Sequence, residues 1–221
     1  MNFELIKAVL FDMDGVLFDS MPNHAYAWVK AVEECGLHMT REEVYMNEGR
    51  TGSGTINALA QRTWGRDATE EECEKIYAIK SRYFNTCPEA LPMEGAAEVL
   101  DKVREMGMKR VLVTGSGQVS LLDRLNQAYP DHFTKDCMVT AFDVRYGKPH
   151  PEPYLMGLKK GFVKASEAIV VENAPLGIQA AKAAGIYTIA VNTGPLPDQV
   201  LIDAGADIVF SSMQALAKAL G

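Results

Sequence analysis

The sequence predicts an open α/β fold with a doubly wound parallel sheet. Three observations point to it. Short apolar runs recur along the chain, helical patterns fall between them, and acidic, hydroxyl or amide residues directly follow several of the runs.

The first run, AVLF (8–11), ends at an acidic turn. It reads as a buried strand, because a strand covered on both faces needs no polar alternation. Further strands are expected at RVLVT (110–114), CMVTA (137–141), AIVVE (168–172), YTIAV (187–191) and DIVF (207–210). AAEVLDKVREMG, QVSLLDRLNQAY, EPYLMGLKKG, LGIQAAKAAG and SMQALAKAL read as the intervening helices, several of them stopping at Gly107, Gly161 or Gly185.

Between Met21 and about Glu89 the alternation breaks. PNHAYAWVKAVEECG, TREEVYMNE, GTINALAQRTWG and ATEEECEKIYAIKSRYFN all read as helices, and Thr40 with Glu43 and Thr69 with Glu72 have capping-box spacing. The expected organisation is a core of residues 1–20 and 90–221 with a helical cap, 21–89, inserted after the first strand. FDSMP and the proline-containing CPEALPMEG would link the two, placing Asp19 and Ser20 at the hinge.

Composition narrows the function. The 221 residues are 48% hydrophobic and 23% charged, with a net charge of −7, so a general nucleic-acid or anionic-membrane surface is not expected. No apolar run approaches the ~20 residues that span a bilayer. The N-terminus carries acids where a signal peptide would be apolar. Cys35, Cys73, Cys87 and Cys137 form no CxxC pair and read as reduced thiols of a cytoplasmic protein. Nothing calls for a partner chain, and a monomer is expected.

In open α/β sheets ligands sit beyond the carboxyl ends of strands. Asp12 and Asp14 follow the first run, and Gly15 permits a sharp turn after them. Two close carboxylates repel, so they share a proton or bind a cation. Thr114, Gly115 and Ser116 follow the second run and offer a hydroxyl and backbone N–H groups to an anion. Lys148, fixed by the proline after it, follows the third, and Glu172 and Asn173 follow the fourth. Oxygen donors without His or Cys suit Mg²⁺. The set fits phosphoryl transfer to a carboxylate, with a second acid protonating the leaving oxygen.

DMDGV, VLVTGSG, Lys148 in GKPHPEPY and VVENAPLG resemble, in order, the four motifs of the haloacid dehalogenase superfamily. The helical insert is similar to the cap of its β-phosphoglucomutase-like subfamily. The resemblance implies a Rossmann-like core, with Asp12 as nucleophile and Asp14 as general acid/base. Thr114, Gly115 and Lys148 would bind phosphate. Asp12, the Asp14 backbone carbonyl and Asn173 would hold the metal, with Glu172 as a further ligand or one step behind them.

Two departures bear on the substrate. Where the family's fourth motif usually reads Glu-Asp, this chain has Glu172-Asn173, which keeps an oxygen donor and loses a charge. Glu48 in the cap is a candidate to replace it. Sugar-phosphate mutases of the subfamily carry a cap His, matched by His24, and an Arg in a Gly-x-Ser-Arg-Glu loop. Here the loop reads GRTGSG, with Arg50 directly after Gly49. With VENAPLG, this is closer to members that hydrolyse inorganic pyrophosphate. Lys80 falls at the subfamily's cap-lysine position. The expectation is a phosphohydrolase acting on a small anionic phosphorylated substrate. A β-phosphoglucomutase and a non-catalytic metabolite-binding relative are the alternatives.

Overall fold

The computed structural model describes residues 5–116 and 121–221. Six parallel strands form one sheet: β1 (Ala8–Phe11), β2 (Lys109–Val113), β3 (Met138–Val139), β4 (Ala168–Glu172), β5 (Tyr187–Val191) and β6 (Ile208–Phe210). Their order is β3-β2-β1-β4-β5-β6, so the winding reverses beside β1, which pairs with β2 on one side and β4 on the other. The fold class is the expected doubly wound one.

Both faces of the sheet are covered. Val9 and Phe11 of β1 join Leu112 and Val171 in a cluster with α5 (Ala96–Glu105) and α10 (Met213–Ala219). Ala8 and Leu10 face the other way, towards α7 (Glu152–Gly161) and α8 (Pro175–Ala183). The period-two alternation thus divides one fully buried strand between two cores. Two strands are shorter than their apolar runs: β3 keeps only two residues of CMVTA, and β6 three of DIVF. α6 (Leu121–Ala128) completes the core; the start of the expected QVSLLDRLNQAY helix lies outside the described residues.

The segment after β1 folds as α1 (Met21–Glu34), α2 (Arg41–Met46), α3 (Gly52–Trp64) and α4 (Glu70–Phe84). Its own apolar cluster includes Trp28, Val32, Leu37, Ile56 and Ile76. Both capping boxes form: Thr40 and Thr69 accept from the Glu43 and Glu72 N–H groups, and the two glutamates accept in return. Each such cap stabilises its helix by about 1 kcal/mol.

The sequence reading missed α9 (Asp198–Asp203), six residues with only Leu201 buried. Gly161 does not supply the left-handed stop of α7. That conformation falls on Phe162, φ 56°, while Gly161 packs against Val111. Among the described residues, no helix is long and apolar enough to cross a membrane.

The two linkers lie side by side. Asp19 N–H donates to Leu91 O (3.0 Å), and Met93 N–H donates to Leu17 O (2.8 Å). Arg124 of α6 grips both, donating to Ala90 O at 2.9 Å with its guanidinium 4.4 Å from the Phe18 ring centroid.

Candidate active site

The carboxyl ends of β1, β2 and β4 meet under α1–α4. Asp12, the first residue past β1, is held by its N–H on Val171 O at 3.0 Å. Its carboxylate accepts from the Lys148 ammonium, Nζ to Oδ1 2.5 Å. The same ammonium donates to Glu172 Oε1 (2.6 Å) and Val113 O (3.2 Å). All three of Lys148's protons are used, and the lysine is 2% exposed. Burial opposes its charge, but Asp12 and Glu172 outweigh burial and hold the ammonium above its ordinary range.

Burial acts most strongly on Asp12 and pushes its carboxyl up to about 7, against the pull of Lys148 and with help from the charges of Glu172 and Asp14. A buried carboxylate so poorly stabilised is a strong nucleophile and a ready cation ligand.

Glu172 is committed elsewhere. Oε1 also accepts from the Tyr154 hydroxyl (2.8 Å), and Oε2 accepts from the N–H groups of Asn173 and Ala174 (2.9 and 3.0 Å). Gly177 leaves no room beside it, since a Cβ there would lie 1.7 Å from Oε1. This alters the expected ligand set: Glu172 fixes Lys148 and has no oxygen to spare for a metal.

Asn173 is placed differently. Its side chain lies over Gly15, whose φ of 81° makes the turn and whose missing Cβ leaves space for the amide. Nδ2 donates to both oxygens of Glu48, at 3.1 and 3.0 Å, while Oδ1 is buried and accepts no hydrogen bond from the described residues. Burial, then the charges of Asp12 and Glu172, raise the Glu48 carboxyl well above its ordinary value. Among the described residues, no three His, Cys, Asp or Glu side chains are grouped for a metal. The donor set that fits a hard cation is mixed: Asp12, the bare Asn173 carbonyl, a backbone carbonyl of the turn and Glu48.

Asp14 has its own surroundings. Ser20 Oγ donates to Oδ1 at 2.5 Å, and His24 Nε2 lies 3.3 Å from the same oxygen. Lys80 Nζ lies 3.0 Å from His24 Nδ1. An ammonium can only donate, so Nδ1 is the acceptor and Nε2 carries the proton towards Asp14. Burial, and then Lys80, lower the His24 pKa in keeping with this neutral tautomer. Burial alone would raise Asp14, but His24 and Ser20, with Lys80 behind them, bring it down to about 2. Lys80 is 3% exposed, its Nζ 4.7 Å from the Phe84 ring centroid and 5.7 Å from those of Trp28 and Tyr77. Burial lowers its pKa to about 8.

The phosphate-side residues follow β2. Thr114 is buried, and its hydroxyl accepts from Ser116 N–H at 3.0 Å. Gly115 lies against the helical layer, where an added Cβ would stand 3.2 Å from Gly49 O.

These groups enclose a chamber of about 80 Å³, lined by Asp12, Asp14, Thr114, Gly115 and Ser116 below and by His24, Glu48, Arg50 and Lys80 above. Lys148, Glu172 and Asn173 are absent from its lining, and Lys148 holds Asp12 from outside it. Asn47 and Thr55 also line it and were missed by sequence reasoning, as was Tyr154 beneath. Ser20 was read only as a hinge residue. Nothing in PEPYLMG or NEGRTGSGT marks these polar residues before the fold turns them inward.

An acid pair at the mouth of the central strand, a buried lysine and a helical cover are the parts of a hydrolase site of one particular family. The model of the haloacid dehalogenase-like hydrolases matches residues 9–191, and the chain belongs to that family. It is 31% identical over 202 residues to a phosphorylated carbohydrates phosphatase of Thermotoga maritima, covering 91% of this chain and 92% of the relative. It is 30% identical over 188 residues to hexitol phosphatase A of Escherichia coli, covering 84% and 83%. Among solved structures, a putative β-phosphoglucomutase from Bacteroides vulgatus superposes with a TM-score of 0.94 at 59% identity, covering 96% of this chain and 86% of that one.

Proposed function

We propose that the chain is a Mg²⁺-dependent phosphohydrolase acting through Asp12 on a compact, highly charged substrate, inorganic pyrophosphate in particular. The observation that carries this is the reach of Glu48 to Asn173. A carboxylate from the helical cap stands where the core has lost a charge.

The chemistry follows from the residues. The Asp12 carboxylate attacks phosphorus, the bond to the leaving oxygen breaks, and an aspartyl-phosphate forms. Lys148 orients Asp12 from below, while the Thr114–Ser116 turn offers N–H and hydroxyl groups to the phosphoryl oxygens. Asp14 is set as a carboxylate by Ser20 and His24. It is therefore ready to take a proton from the water that hydrolyses the intermediate. A phosphate leaving group departs as a stable anion without a proton, whereas a sugar alkoxide requires one. Asp12, the Asp14 carbonyl, Asn173 Oδ1 and Glu48 would hold Mg²⁺. When bound, the cation screens the repulsion between Asp12 and an incoming phosphate.

The second reading is a sugar-phosphate mutase. His24 on Asp14 favours it, as does the name of the Bacteroides vulgatus protein. Phosphate release with Mg²⁺ from pyrophosphate, hexitol phosphates and fructose 1-phosphate, beside isomerisation of β-glucose 1-phosphate, tests the choice. Pyrophosphate is expected to give the highest kcat/KM. Isomerisation outrunning every hydrolysis would overturn the proposal.

A further inference from the structure

The segment after β5 supplies none of the chemistry above, yet it leaves the core and enters the helical layer. Leu196 is 6% exposed, and the apolar residues it joins are Met21, Trp28, Val44, Tyr45 and their neighbours in α1 and α2. Gly194 lies against the same layer, where an added Cβ would stand 3.1 Å from Tyr45 Cδ1. Asn192 shapes the loop, its amide donating to Leu196 O (2.9 Å) and Asp198 Oδ1 (2.5 Å). The Thr193 hydroxyl donates to Gly15 O at 2.6 Å, one residue beyond Asp14.

We propose that residues 193–196 are a latch that holds the helical cap closed over the site when no substrate is bound, with Leu196 as the positioning residue. The two linkers tie the layers covalently but allow rotation about them. Leu196 adds an attachment distant from them in sequence. Its burial is an apolar gain that exists only in the closed arrangement and requires no ligand. The anchor on Gly15 registers that arrangement against the turn carrying Asp14. The resting enzyme is then closed, and substrate enters only when Leu196 leaves its pocket. This holds whatever substrate the site takes.

Small-angle scattering of the full chain without substrate is the test, because it reads closure independently of turnover. The wild type is expected to give a compact radius of gyration that inorganic phosphate with Mg²⁺ does not reduce. Leu196→Ser should expand it and raise the open population roughly tenfold or more. Substrate association should speed up, since entry is through the open form, and Leu196→Met should restore the compact form. A role in folding alone would lower the melting temperature of Leu196→Ser but leave its scattering and association rate unmoved, and that result overturns the latch. A wild type that is expanded until phosphate is added overturns it equally. Should Leu196→Ser fail to fold, Thr193→Val decides. It removes only the bond to Gly15 O, and expansion supports the latch while unchanged scattering refutes it.

Discussion

Glu48 and Asn173 face each other across the seam between the helical layer and the sheet, the amide nitrogen 3.1 and 3.0 Å from the two carboxylate oxygens. One residue supplies the charge that the other's position lacks. Glu48→Gln should raise the Mg²⁺ concentration needed for half-maximal activity by roughly tenfold. Asn173→Asp in the Glu48→Gln background should recover much of that loss. A Mg²⁺ titration unmoved by Glu48→Gln would remove Glu48 from the ligand set.

Lys80 reaches Asp14 only through His24. Activity is expected to fall as pH rises through about 8, where the buried ammonium loses its proton and its donation to His24 Nδ1 weakens. Lys80→Met should lower kcat at least roughly tenfold and erase that alkaline limb. Lys80→Arg should keep the charge and move the limb to higher pH. The same limb in all three pH–rate profiles would show that another group titrates there.

The ion pairs beneath the site bear on stability as well as catalysis. Lys148→Met leaves Asp12 and Glu172 buried and facing each other, and should cost roughly 3–5 kcal/mol in chemical denaturation. Tyr154→Phe removes one donor from Glu172 Oε1 and should cost about 1 kcal/mol. A Tyr154→Phe loss as large as that of Lys148→Met would mean that the hydroxyl, and not the ammonium, anchors Glu172.

Asp12 makes the metal-free enzyme sensitive to base. Its folded pKa, about 7, lies above the ordinary 3.8. The relative stability is therefore complete below 3.8 and is lost as pH rises through about 7. Melting temperatures in chelator should fall between pH 5 and 8, and Asp12→Asn should flatten that decline while abolishing turnover. Asp14 acts at the opposite end. Its pKa is depressed to about 2, so its contribution is present above 3.8 and lost only as pH falls towards 2. A chelated wild type whose melting temperature does not change from pH 5 to 8 would contradict the Asp12 assignment.

Much of this was legible in the chain because the information is local. AVLF is apolar on both faces, and β1 is buried on both. Thr40 and Thr69 announce their helices by spacing alone, and both boxes form. The polar residues after β1, β2 and β4 meet because a doubly wound sheet brings those strand ends together. What stayed hidden depends on distant partners. Lys80 has the pattern of a solvated helix lysine, and only the rings of Trp28, Tyr77 and Phe84 bury it. Glu172, at the end of β4, looks like a metal ligand until Tyr154 of α7 claims its oxygen. In α9 a single buried leucine is too little apolar periodicity to read.

Away from Glu48 and Leu196, the closed seam turns on glycines. Gly49, at φ 83°, leaves no room for a Cβ beside Lys148 Cδ, where one would stand 2.7 Å away. Gly115 faces Gly49 O, and Gly147 packs on Thr51. A lid seated on glycines carries almost no side-chain information at its joint. Asn47 and Arg50, which line the chamber beside it, can therefore be exchanged in sequence while that joint is left intact. On this scaffold, the choice of substrate and the act of shutting can evolve separately.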